Sequence, residues 1–190
     1  MRGPARGYPP PVDVAPDYLE PLRGWRLWEL AGGRDDLRLR SLVRRDCRWP
    51  VGGPLVADCP SGRLPGPPER HEAPEASCWC GIHAFSDEGT ALRTMADLGQ
   101  ELDGPVVVGT VLLWGAVVQC AEGLRGQFAY PGELWVPHLA GRPRGRPVAE
   151  RLAAGLARYR VPVHTLPLES WADPPARVPR GDRAPLPPGG

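Results

Sequence analysis

Val106-Val107-Val108-Gly109-Thr110-Val111-Leu112-Leu113-Trp114-Gly115-Ala116-Val117-Val118-Gln119 is the stretch on which the fold turns. Its apolar part, Val106 to Val118, runs about thirteen residues and is broken by Gly109, Thr110 and Gly115, short of the roughly 20 that a membrane-crossing helix needs. Its wealth of valine predicts a buried strand instead, with glycines at 109 and 115 where a small curved sheet has to bend. Beyond Glu122-Gly123, Leu124 to Val136 predicts a second long strand, so the two make an extended hairpin.

Upstream, Trp25-Arg26-Leu27-Trp28-Glu29-Leu30 alternates in part and ends at Gly32-Gly33, after which Leu37, Leu39 and Ser41 resume a period of two. That pattern predicts a β-hairpin. Pro54 to Cys59 offers a third short strand, Pro60 to Pro68 a loop, and Cys78 to Phe85 an extended segment. Ser86-Asp87-Glu88 supplies a cap and acids for the positive end of a helix of about fifteen residues, marked by Leu92, Met95 and Leu102 and stopped by Gly104-Pro105. Pro147 opens a second helix, with Val148, Leu152, Leu156 and Tyr159 on one face, and Val161 to Leu166 makes a last strand. The expected fold class is α+β: a small curved, mainly antiparallel β-sheet or partial barrel with two helices and a zinc-binding loop.

Composition sets the boundaries. Residues 1–18 and 171–190 are rich in proline and poor in large apolar side chains, so they read as a disordered arm and a disordered Pro/Arg-rich tail around one domain spanning 19–170. The 23 basic residues, all arginine, nearly balance 22 acidic ones, and the net charge of +1 gives no field that would draw the whole protein onto nucleic acid or a membrane. Arg2 and Arg6 are followed by no apolar run, so no signal peptide or anchor is expected and the protein is expected in the cytoplasm.

Three of the five cysteines and two of the four histidines fall between residues 59 and 83, among loop-forming residues. In a reducing compartment clustered thiols point to metal more than to a disulfide framework, with packed thiols or a disulfide as the other readings. Cys59, His71, Cys78 and Cys80 supply three thiolates and one imidazole, a donor set suited to tetrahedral zinc. Residues 78 and 80 share a face if the chain there is extended, and parity then turns His83 away. Cys47 is the one substitute ligand, and Cys120 reads as a packed side chain.

His71-Glu72-Ala73-Pro74, Cys78-Trp79-Cys80-Gly81-Ile82-His83-Ala84 and Leu113-Trp114-Gly115 resemble a family of bacterial proteins frequent in actinobacteria, with H-x-A-P, C-x-C-G-I-Y-A and L-W-G motifs. The resemblance spans residues 24 to 166, including Gly24 to Trp28 and Gln127 to Pro131. Here His83 stands where the family carries tyrosine, so no hydroxyl role carries over. That family has no established activity, and the resemblance implies a grouping and no function.

No phosphate loop, paired catalytic carboxylates, nucleophile elbow or dinucleotide fingerprint is present. Arg142, Arg144 and Arg146, near Tyr130 and Trp135, make the one dense basic stretch and a candidate grip on nucleic acid or another partner. Cys59 or Cys78 with His71 or His83 would be the parts of a thiol-dependent enzyme. The reading that absorbs most of these features is a non-catalytic interaction or adaptor domain, stabilised by structural zinc and bound to another protein. Nucleic-acid binding and thiol catalysis are the alternatives, and no membrane partner is expected.

Overall fold

The computed structural model describes residues 20–33, 35–59, 71–98, 104–121, 123–139 and 144–168. The expected arm and tail, Arg142 and Trp171 lie outside them. The elements run β1 Leu22–Ala31, β2 Arg38–Ser41, β3 Leu55–Val56, β4 Ile82–Phe85, α1 Glu88–Leu98, β5 Val106–Cys120, β6 Gly123–His138, α2 Gly145–Leu156 and β7 Val163–Pro167, with a 3-10 turn Ala157–Tyr159 after α2. This is the expected α+β fold.

β5 and β6 form the long hairpin, paired from Val108↔Trp135 to Cys120↔Gly123. Its register shifts twice, once between Thr110 and Val111 and once between Trp114 and Val117. The second shift holds Gly115 at φ +72, a left-handed conformation that glycine adopts without steric cost. Gly109 serves differently: a Cβ there would lie 2.2 Å from the carbonyl oxygen of Glu133, so the facing strand comes too close for any side chain.

β1 pairs antiparallel with β5 from Leu22↔Leu113 to Glu29↔Val106, and with β2 across the predicted hairpin. β4 bridges the far sides, meeting β1 at Trp25↔Phe85 and β6 from Ile82↔Gly126 to Phe85↔Gly123. The hydrogen bonds therefore run in a ring, β1 to β5 to β6 to β4 and back to β1, held at the last step by one pair and so short of a true barrel. β3 adds to β6, and β7 runs parallel to β6. That parallel strand follows from α2, because the crossover helix carries the chain back along β6 so that Val163 starts opposite Leu134 and both strands run on in the same direction.

Alternate residues of β1 serve two cores. Trp28 and Leu30 join Leu39, Trp49, Leu113, Leu134 and Leu156, where α2 packs, and the Trp28 and Trp49 rings meet edge to face at 5.3 Å. Trp25 and Leu27 join Ala91 and Val108, where α1 packs with Leu92 and Met95. Tyr159 is fully buried and its hydroxyl ties the larger core together, donating to Trp49 O at 2.9 Å and accepting from Leu39 N at 3.0 Å. Asp87 caps α1, its Oδ1 accepting from Thr90 N at 2.8 Å.

One expectation fails in a way that matters. The extended segment from Cys78 to Phe85 is a strand only over Ile82–Phe85; Cys78, Trp79 and Cys80 lie in turns before it. Gly81, at φ +113, ends any extension. A Cβ at that position would come within 2.9 Å of Pro74 and 3.1 Å of Arg125, so the turn closes against both.

Candidate metal centre

Cys59 follows β3, His71 begins the next described segment, and Cys78 and Cys80 flank Trp79 in the turns before β4. The ligand atoms of these four side chains all lie within 4.8 Å of one another, so they form a group that could hold a metal ion. Cys59 Sγ and Cys78 Sγ are 3.8 Å apart, and His71 Nε2 lies 3.3 Å from Cys80 Sγ. Zn–S bonds of about 2.3 Å and Zn–N bonds of about 2.0 Å in a tetrahedron give S···S edges of about 3.8 Å and N···S edges of about 3.5 Å. These two separations are close to those edges, and 3.8 Å is far beyond the roughly 2.05 Å of a disulfide. The described residues contain no disulfide.

The turn is built to present its thiols. Cys78 N donates to Glu75 O at 3.1 Å, closing one turn, and Glu75 N donates to Cys80 Sγ at 3.3 Å. Cys80 is 3 % exposed, and burial pushes its thiol up to about 11. A thiolate at Cys80 in so dry a place needs a cation to hold it.

Behind the turn stands Arg125, on β6 and 5 % exposed. Its Nη1 donates to Glu75 O at 3.2 Å, to Cys80 O at 2.9 Å and to Cys78 O, its Nη2 points to Ala76 O at 3.5 Å, and its Nε donates to Cys120 Sγ at 3.2 Å. A guanidinium has five N–H donors in a rigid plane. Here they gather the carbonyls of the metal turn. Three thiolates and a neutral imidazole around a divalent ion would leave one negative charge, which the guanidinium would offset.

Sequence reasoning named the four ligands and missed Arg125. The available signal was an arginine between Leu124 and Gly126 in a strand otherwise destined for burial, but carbonyl acceptors carry no sequence pattern. His83 stands outside the group, as expected, though not through strand parity, since Cys78 and Cys80 are not on β4: its ring pairs with Trp79 O at 2.9 Å, and burial holds its pKa below the usual value. Cys47 is likewise outside it. Cys120 is exposed, contrary to its expected packing, because β5 ends there at the mouth of the hairpin.

Arg144 and Arg146 sit at the start of α2, where Arg146 Nε pairs with Glu150 Oε1 at 2.8 Å. The aromatics expected beside them face inward. Tyr130 donates to Tyr159 O and accepts from Gly52 N, each at 3.0 Å, and Trp135 stacks on Trp25 and His164. Trp79 is the opposite case, 89 % exposed where most tryptophans were expected to be core.

Set against known protein families, curated proteins and solved structures, the chain matches none. Function is therefore argued from the site.

Proposed function

We propose that Cys59, His71, Cys78 and Cys80 bind a structural zinc ion and that the domain so clamped is a non-catalytic interaction module. The observation that carries this reading is the gathering of four ligand atoms within 4.8 Å of one another, with two of their separations close to the edges of a zinc tetrahedron. Four protein ligands leave no position for water or substrate, as in structural rather than catalytic zinc sites. The ion would join the end of the β3 segment to the turn before β4. Zinc suits three thiolates and an imidazole, and such ligands persist in a reducing compartment, consistent with a cytoplasmic protein.

Thiol catalysis is disfavoured by the same geometry. A nucleophilic cysteine has its pKa depressed, whereas burial raises that of Cys80, the thiol nearest His71. The interaction role is supported by the exposed Trp79 at the tip of the turn, since a large aromatic held out in water is a feature of binding surfaces.

Metal analysis of the purified protein tests the site. One equivalent of zinc is expected, falling in Cys59→Ser, His71→Ala, Cys78→Ser and Cys80→Ser together with the melting temperature, because binding is coupled to folding. Cobalt substitution should give the spectrum of a four-coordinate ion with no exchangeable water. Zinc content unchanged in the four variants would end the proposal.

A further inference from the structure

Beside the metal turn lies a second feature, a cavity of about 590 Å³ bounded by β1, the segment after β2, β3, the metal turn, β4 and the end of α1. Its volume falls in the range of about 300–1,000 Å³ that small-molecule sites occupy. Three of the large apolar side chains most open to water, Val43, Val56 and Trp79, stand on its rim. The interior is mainly apolar, with Leu27, Ile82 and Phe85 among its walls.

The charges facing this space do not balance. Arg44 pairs with Asp58 and, at 3.5 Å, with Asp46. Arg125 is committed to the metal turn, and burial favours the neutral form of His83. Arg26 is left. It donates to Ser41 Oγ at 3.2 Å and to His83 O, it lies 5.3 Å over the Trp49 ring, and its buried Nε has no partner. Among the described residues no carboxylate pairs with it, and desolvation pulls its pKa down to about 10, with only the Cys47 thiol acting the other way. Two of five donors are matched by protein acceptors. A half-buried cation without a counter-ion, its Nε shut away from water, favours an anion that can reach the rest of the guanidinium.

We propose that this cavity binds a small organic carboxylate with an apolar or aromatic body, its carboxylate on Arg26 and its body against the apolar wall and Trp79. The charge selects the anion: a neutral molecule of the same shape would leave the guanidinium uncompensated, and a cationic one would be repelled. The aromatic lip selects the body, since a flat ring can stack on Trp79 as it enters. The inference rests on the metal reading only in that the clamped turn forms the near wall.

Isothermal titration of the zinc-replete protein with 2-naphthoate and with its neutral isostere 2-naphthamide tests this. The acid should bind with a dissociation constant below 1 mM and at least tenfold more tightly than the amide. Arg26→Gln should bring the two ligands to equal affinity. Because Arg26→Gln removes a side chain that spans β1, Ser41 and β4, a second variant leaves the arginine in place: Cys47→Asp supplies an internal carboxylate beside it and should likewise abolish the preference. Equal binding of acid and amide by the unmodified protein would overturn the proposal and point to a groove for a neutral side chain of a partner, and binding of neither would overturn it too. Failure of the metal reading shows separately, as protein without zinc, whatever the titration gives.

Discussion

Replacing Arg125 with methionine keeps most of the side-chain volume and removes the guanidinium around which the metal turn is organised. In the structure, Nη1 serves the carbonyls of Glu75, Cys78 and Cys80, and the side chain is 5 % exposed, so water cannot take over those acceptors. Hydrogen bonds to a charged donor contribute about 1.5–3 kcal/mol each, and Nη1 has two hydrogens to give. Removing one partner from a buried charged cluster typically costs about 3–5 kcal/mol, so a loss near 3 kcal/mol is expected. For a domain of this size that corresponds to a melting temperature lower by about 6–12 °C. Urea unfolding of zinc-replete protein, with an unchanged m-value, reads the loss directly. A competition titration against a chelator should also show zinc held about 10–100-fold more weakly, the usual effect of losing a group that positions metal ligands. Arg125→Lys should recover only part of both, because an ammonium cannot reach carbonyls spread across a plane. Stability lowered by less than about 1 kcal/mol in Arg125→Met, or full recovery in Arg125→Lys, would refute this account of the turn.

Two further outcomes follow from single groups. Tyr159→Phe leaves Trp49 O without its donor and Leu39 N without its acceptor in a fully buried place, so the urea midpoint should fall by an amount equivalent to about 1–3 kcal/mol; a change indistinguishable from zero would reduce Tyr159 to a packing role. In chelator-treated protein, the Cys80 pKa of about 11 lies above its ordinary 9.0, so the neutral thiol contributes stability in full below pH 9 and that contribution is lost as the pH rises towards 11. The midpoint should drop across this window and the drop should be absent in Cys80→Ala; a flat profile would count against burial as the cause.

How far the sequence could be read depended on which physics was local. Val106 to Gln119 was legible as strand because β-branched residues and two glycines state both the pairing and the bends in one short window. The four residues of the cluster were legible because a metal site is defined by donor atoms rather than backbone conformation, so naming them required no knowledge of their turn. Placing Cys78 and Cys80 on a strand was an error of the same origin: a Cys-x-Cys spacing suits an extended chain and a tight turn alike, and it is Pro74, Gly81 and Arg125, brought together from distant positions, that choose the turn. Trp79 followed that error outward. Arg26 sits in an alternating strand where its parity gave no hint that it would line a cavity, because the other walls come from the segment after β2 and from β4. The parallel pairing of β7 depended on where α2 delivers the chain, which neither segment encodes alone.

The pairing of β1 with β5 has a consequence for how the chain is made. Trp25 meets Thr110 and Glu29 meets Val106, so the first strand leaves the ribosome long before its main partner exists. At about 5–20 residues per second the wait is on the order of ten seconds. During it β1 has β2 to pair with and, late on, a single pair with β4, and a two-stranded hairpin is marginal in water. Trp25, Leu27, Trp28 and Leu30 are then a sticky nascent segment, in need of a chaperone or of slow, dilute synthesis. The β5–β6 hairpin, by contrast, closes within microseconds of its own completion and gives β1 a surface to land on.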